Sequence, residues 1–88
     1  MKINYHRAFK KAFKKLPTKI QKKAMERTLL FLENRKSPLL KDHALIGNMS
    51  GQRSFSVTGD CRVIYQEEEN GELTFLFLDI GAHTQVYE

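Results

Sequence analysis

Three residues in the last third of the sequence have side chains suited to cutting RNA without a metal: Arg62, His83 and Tyr87. Such a reaction needs a base for the 2′-hydroxyl proton, positive charge against a phosphorane-like transition state, and an acid for the leaving 5′-oxygen. An arginine forks onto two phosphate oxygens, and an imidazole titrates near ~6.5, so it serves as base or acid. A tyrosine can orient a hydroxyl, and it deprotonates one only if neighbouring cations lower its pKa. The three residue types therefore indicate a candidate site for phosphodiester chemistry.

His43 and Asp60 are further candidates, one in a long loop and the other in a turn between two strands. Each candidate also has a purely structural interpretation. Arg62 could pair with an acid across the sheet, His83 could be a satisfied turn histidine, and Asp60 is a residue type that commonly forms turns. Asp42 and His43 could form a loop hydrogen bond with each other, and Tyr87 could pack against a helix. Spacing alone does not decide between these interpretations.

The sequence predicts neither a metal site nor a cofactor. Its three histidines and single cysteine are scattered, with no ligand pairs at helical spacing. There is no glycine-rich phosphate loop and no serine nucleophile motif. Cys61 is expected to be a small core residue.

Positive charge is concentrated in the first half of the chain. The net charge is +5, and it divides into +10 over residues 1–44 and −5 over residues 45–88. A front half this basic attracts a polyanion or an acidic protein, or it is simply a solvated helix surface rich in lysine. One cysteine, no signal peptide and no membrane-spanning apolar run lead us to expect a cytoplasmic protein.

The elements that must position these side chains follow from hydrophobic periodicity. Eighty-eight residues form one domain, 1–88, in the order β-α-α-β-β-β. We expect an α+β fold in which an N-terminal helical hairpin packs on one face of a small antiparallel sheet. Thr18 and Gln21 predict a capping box at the start of the second helix. The final strand is expected to be the central one, because it is apolar on both faces. The predicted elements are a short strand around residues 3–5, helices at 8–16 and from 18, a loop at 34–51, and strands at 53–57, 61–66 and 73–80.

Three segments together resemble the RelE/ParE superfamily of type II toxins. Arg62-Val63-Ile64-Tyr65 precedes an acidic hairpin, and Asp79-Ile80-Gly81-Ala82-His83 precedes a final aromatic, Tyr87. Asp42-His43-Ala44-Leu45-Ile46-Gly47 is similar to the Asp-His-x-Leu-x-Gly segment of the YafQ-like branch. The resemblance implies a RelE-like microbial RNase fold, and a toxin that enters the ribosomal A site and cleaves mRNA there. It also implies inhibition by a cognate antitoxin in a hetero-oligomer, with ribosomal RNA as a further partner and no membrane.

The same resemblance implies roles for individual residues. It assigns the catalytic set to His83, Arg62, Tyr87, Asp60 and His43, and substrate binding to Arg53 and Lys41. The sequence departs from the YafQ-like pattern at three positions, where Ser56 replaces a histidine, Cys61 a tryptophan and Asp79 an arginine. Each positioned donor or proton carrier contributes roughly 10²–10³-fold to a rate, so these departures predict slower cleavage.

Two other functions remain open from the sequence. A ParE-like toxin would poison DNA gyrase and would lack the catalytic set, of which this chain keeps only part. A catalytically weakened homologue would survive only as a binding partner of its antitoxin. Mapped mRNA ends would distinguish the nuclease from both.

Overall fold

The computed structural model describes residues 1–69 and 71–82, and it has the predicted α+β architecture. Two helices pack on one side of a five-stranded sheet. The elements are β1 Lys2–Tyr5, α1 Arg7–Lys14, α2 Thr18–Glu33, β2 His43–Ala44, β3 Arg53–Ser56, β4 Cys61–Glu69 and β5 Leu73–Ala82, with a 3₁₀ turn at Gly47–Met49. None of the helices in these residues is long and apolar enough to span a membrane.

The helical hairpin is confirmed, but the predicted capping box is wrong. His6 caps α1, because its Nδ1 accepts a hydrogen bond of 3.0 Å from the Ala8 amide. At the start of α2 the residue before the helix is Pro17, and no side chain caps the helix end. Gln21 instead donates from Nε2 to the carbonyl of Phe13 at 2.9 Å. The glutamine therefore ties the two helices together.

The sheet is mixed, not wholly antiparallel as the sequence suggested. Its strand order is β1-β5-β4-β3-β2, and β1 runs parallel to β5 while the other neighbours are antiparallel. β1 and β5 are not joined by a tight hairpin, which would force antiparallel pairing, because both helices and three other strands lie between them in the sequence. The middle strand is β4, not the final strand β5 as predicted, and β5 lies between β4 and β1. The loop predicted at 34–51 contributes the short edge strand β2.

Aromatic rings fill the space between helices and sheet. Phe31 of α2 lies with its ring centroid 4.9 Å from each of Phe55, Tyr65 and Phe75. All four side chains, and Phe77 beside them, are fully buried. The full burial of Phe31 makes it a core residue and excludes a role for this ring in stacking on a base.

Candidate functional site

The two faces of the sheet separate the candidate residues into two groups. Phe55, Val63 and Tyr65 pack beneath the helices, so we call this the helix-side face. Because successive side chains of a strand point to opposite faces, the residues between them lie on the other side, which we call the far face. The far face carries His43, Ser54, Ser56, Arg62, Ile64 and Asp79.

Arg62 lies at the centre of the far face. It sits on β4 between Ser56 of β3 and Gly81 of β5. Its side chain is half-buried, and Nη1 is a buried donor that has no hydrogen-bond partner among residues 1–69 and 71–82. A buried donor without a partner costs about 1–3 kcal/mol, so this nitrogen is suited to receive an acceptor from outside the described part of the chain. The predicted acid partner for Arg62 across the sheet is not found within that part.

His43 lies on the same face, two strands away from Arg62. It pairs with Ser54 of β3, which pairs with Ile64 of β4, and adjacent strands are about 4.8 Å apart. The imidazole is exposed, and its Nδ1 lies 2.9 Å from the carbonyl oxygen of Lys41. A carbonyl only accepts, so the bond requires the proton on Nδ1 and leaves Nε2 of the neutral ring as an acceptor. The partner of His43 is therefore Lys41, and not Asp42 as the sequence had suggested, and this bond does not block a role in proton transfer.

Asp60 closes the turn between β3 and β4, near the end of the far face. It is exposed, and its amide donates to the Thr58 hydroxyl at 3.3 Å. The next residue, Cys61, is buried on the helix-side face, and burial raises the pKa of its thiol to about 11, with the negative charge of Asp60 acting in the same direction. The expectation of a core cysteine is confirmed.

The other two departures from the YafQ-like pattern occupy the far face beside Arg62. The Ser56 hydroxyl donates to the Thr58 carbonyl at 2.7 Å, so it supports the turn. The Asp79 carboxylate accepts from the Ile80 amide at 2.8 Å. Asp79 reaches the far face because β5 has an extra residue, Leu78, opposite the step from Ile64 to Tyr65 on β4. Asp79 therefore places a carboxylate on the far face, at a position where the family resemblance implies a basic residue.

Arg53 lies on the helix-side face, away from Arg62. Its Nη2 and Nε donate to one carboxylate oxygen of Asp42 at 2.8 and 2.9 Å, and Nε also lies 3.3 Å from the Tyr65 hydroxyl. The Tyr65 hydroxyl in turn donates to the other Asp42 oxygen. Burial and the Asp42 carboxylate raise the pKa of Tyr65 to about 12. This three-residue network, together with Arg35 beside it, was not anticipated from the sequence, because its members lie far apart along the chain.

The remaining candidates are Lys41, His83 and Tyr87. Lys41 is exposed and its backbone is left-handed, with φ of 48°. His83 and Tyr87 lie outside the described residues. No group of three or more potential metal-binding side chains occurs in residues 1–69 and 71–82.

Solved structures that share this fold are bacterial toxins. A YoeB/ParE toxin from Agrobacterium tumefaciens aligns with a TM-score of 0.78 and 17% identity, covering 94% of this chain and 99% of that one. YafQ from E. coli strain BL21(DE3) gives a TM-score of 0.70 and 23% identity over 98% and 97% of the two chains. A metal-bound toxin from Helicobacter pylori gives 0.71 and 24% over 99% of both. The class is therefore the RelE-like toxin fold.

A family model described as a bacterial toxin of type II toxin–antitoxin systems, YafQ, matches residues 1–88. The chain belongs to this family, which confirms the resemblance drawn from the sequence motifs. A further solved structure with the same fold is the E. coli DinJ-YafQ complex, at a TM-score of 0.68 and 22% identity over 98% of this chain and 97% of that one. A comparison with curated protein sequences gives no match.

Proposed function

We propose that this type II toxin is a metal-independent endoribonuclease that cleaves mRNA on the ribosome. Membership of the YafQ family supports the proposal. The main supporting observation is the guanidinium of Arg62, whose buried Nη1 has no hydrogen-bond partner in the described part of the chain. Arg62 lies on the same sheet face as His43. A phosphate at the exposed part of this half-buried side chain would be matched in charge by the arginine, and a small shift of the side chain would bring the buried Nη1 within reach of a phosphate oxygen.

In the proposed reaction the 2′-oxygen attacks the adjacent phosphorus, and the bond from phosphorus to the 5′-oxygen breaks. A base takes the 2′-hydroxyl proton, and an acid returns a proton to the 5′-oxygen. Arg62 stabilises the charge that develops on the phosphate oxygens. His43 presents Nε2 as an acceptor while Nδ1 is held by Lys41. His83 and Tyr87 complete the site on the basis of the family resemblance alone, with Asp60 as an alternative proton carrier.

Binding to the ribosome would use the basic surface of the helices. The lysines of α1 and of the first turns of α2 are mostly exposed, and no carboxylate lies in the first turn of either helix. Phosphate contacts made by such lysines release counterions, so binding weakens steeply as salt concentration rises. Arg53, which is held by Asp42 on the helix-side face, is not part of the proposed phosphate site.

The proposed antitoxin contact uses an apolar groove that α1, α2 and β1 form. Its volume is about 710 Å³, and Tyr5, Phe13, Met25 and Leu29 are among its lining residues. Met25 and Leu29 are each more than 60% exposed, which is unusual for large apolar side chains unless a partner covers them. Lys10 and Lys14 also line the groove, so its occupant is an amphipathic segment with acidic flanks. The complex, and the toxin released from it, would act in the cytoplasm, where ribosomes are.

Induction in cells followed by mapping of mRNA 5′ ends tests the proposed activity. The wild-type chain should arrest growth and produce new mRNA ends. Arg62→Gln and His83→Asn should each lower cleavage by about 10²–10³-fold, the usual effect of losing a positioned donor or proton carrier. Matched controls are Lys36→Gln at an exposed position in the loop after α2, which makes the same charge change, and His6→Asn, which keeps a capping side chain.

Three results would count against the proposal in different ways. DNA breaks with intact mRNA would identify a gyrase poison. A folded chain that is harmless but still binds an acidic partner would identify a weakened homologue. Toxicity that persists unchanged in both Arg62→Gln and His83→Asn would leave the nuclease possible but would reject the site.

A further inference from the structure

We propose that Asp42, Arg53 and Tyr65 form a latch that positions His43 on the far face of the sheet. This inference rests on the proposed function only in giving His43 a role in cleavage. The latch lies on one side of the sheet and the imidazole that it positions lies on the other. Asp42, Arg53 and Tyr65 are therefore positioning residues that do not themselves touch the RNA.

The latch is closed by both oxygens of one carboxylate. The Asp42 side chain is only 7% exposed, and one of its oxygens accepts from Arg53 at 2.8 and 2.9 Å. Its other oxygen accepts from the hydroxyl of Tyr65, whose ring is fully buried in the aromatic core. A carboxylate held by a two-nitrogen arginine contact and by a core tyrosine has a single orientation. The backbone of residue 42 is thereby fixed to β3 and β4.

His43 has few other restraints. It belongs to β2, which has only two residues, lies at the sheet edge and pairs with β3 alone. Beyond β2, the Leu45 amide donates to the Gln52 carbonyl at 2.9 Å. On the other side, Lys41 adopts a φ of 48°, a left-handed conformation that is unfavourable for a residue with a Cβ. A two-residue edge strand next to a strained residue has little stability of its own. Asp42 lies between Lys41 and β2, so its side-chain contacts hold both in place.

The strained Lys41 and the latch act together on the imidazole. The carbonyl of Lys41 meets Nδ1 of His43 at 2.9 Å, so the orientation of that peptide sets the ring orientation and the tautomer. If Asp42 loses its charge, the peptide is free to relax, and Nδ1 loses its acceptor. The expected result is an imidazole that samples several orientations and tautomers. The value of kcat should then fall while KM changes little, because a misplaced proton carrier destabilises the transition state more than the bound substrate.

The test uses the whole chain with Asp42→Asn, and with Tyr65→Phe as a milder variant that keeps the core ring. Nuclear magnetic resonance of the imidazole follows His43 directly, with His43→Asn assigning its signals among the three histidines. We expect the His43 signals of Asp42→Asn to move toward those of an exposed histidine in a peptide. Amide exchange at Leu45 should accelerate at least tenfold, and kcat for RNA cleavage should fall at least tenfold with KM nearly unchanged. Tyr65→Phe should give smaller changes in the same direction.

The control is Ile20→Ala near the start of α2, which lowers stability by removing apolar contact with the core and removes none of the hydrogen bonds of the latch. If His43 signals and Leu45 exchange in both latch variants match those in Ile20→Ala, the latch proposal is wrong. If the signals move as expected but wild-type protein cleaves no RNA, the latch stands and the proposed function fails. Should Asp42→Asn not fold, Tyr65→Phe decides the question by the same two measurements.

Discussion

Replacing Arg35 by glutamine should destabilise the domain by about 2 kcal/mol, which is more than the loss of its ion pair with Glu67 alone would cost. The Arg35 guanidinium, just beyond α2, contacts the Glu67 carboxylate and lies 3.3 Å from the Tyr65 hydroxyl. Its central carbon also lies 4.9 Å from the ring centroid of Phe75 and 5.6 Å from that of Phe31. The charged guanidinium therefore covers one side of the aromatic core.

The expected cost can be divided among these contacts. The ion pair is partly exposed, since the two side chains are 29% and 40% exposed, so it contributes about 0.5 kcal/mol. A cation over a ring contributes about 0.5–1 kcal/mol, and the long hydrogen bond to Tyr65 adds roughly 0.5 kcal/mol. For a domain of this size, 1 kcal/mol corresponds to about 4–8 °C in Tm. Arg35→Gln should therefore lower Tm by about 10 °C, and Glu67→Gln by about 3 °C.

Urea denaturation of Arg35→Gln, Glu67→Gln and the double variant separates the two contributions. The coupling energy from this cycle should be about 0.5 kcal/mol, and it should vanish in 1 M salt because the Debye length there is only ~3 Å. The remaining cost of Arg35→Gln should persist in salt, because the contact with the rings is shielded from water. If both single variants cost the same and salt removes both losses, the rings contribute nothing and the reasoning is refuted.

Three further predictions concern other parts of the chain. In the folded protein the pKa of the Cys61 thiol is raised to about 11 and that of Tyr65 to about 12, so the free energy of unfolding should fall as pH rises from about 9 to 12. In urea titrations, Cys61→Ala should reduce this fall between about pH 9 and 11. Leu29→Lys, at a groove position that is 63% exposed, should weaken antitoxin binding at least tenfold in calorimetry while growth arrest without antitoxin is unchanged. His6→Ala should cost about 1 kcal/mol and His6→Asn much less, measured by thermal unfolding, because only the latter keeps an acceptor for the Ala8 amide.

The order of elements was predictable because periodicity is a local signal. The stripe of Ala8, Phe9, Ala12 and Phe13 specifies α1, alternation specifies β3, and a short run of β-branched and aromatic residues specifies β4. The parallel contact between β1 and β5 was not predictable in this way. It joins residues more than 70 positions apart, and a four-residue strand carries no mark of its partner's direction.

The candidate site was predictable only in part, for a similar reason. Residue types and the family resemblance selected Arg62 and His43, and the strand register places both on one face. The family resemblance also assigned Arg53 to substrate binding, because it matches a basic position at the start of this strand. Its partner Asp42 lies 11 positions earlier, and only the folded sheet shows that the arginine is already engaged.

The parallel pairing of β1 has a consequence for how the domain forms during its own synthesis. The helical hairpin and the β3-β4-β5 meander join near neighbours in sequence, so each can form as soon as its residues emerge. β1 is different, because Lys2 meets Thr74 and Tyr5 meets Phe77. The first strand must wait, unpaired, until the last one has been translated, and the loop that closes is the longest in the protein. One sheet edge of the nascent toxin therefore stays incomplete until residues 73–82 have emerged, and we expect the docking of β1 to limit the rate at which the domain matures.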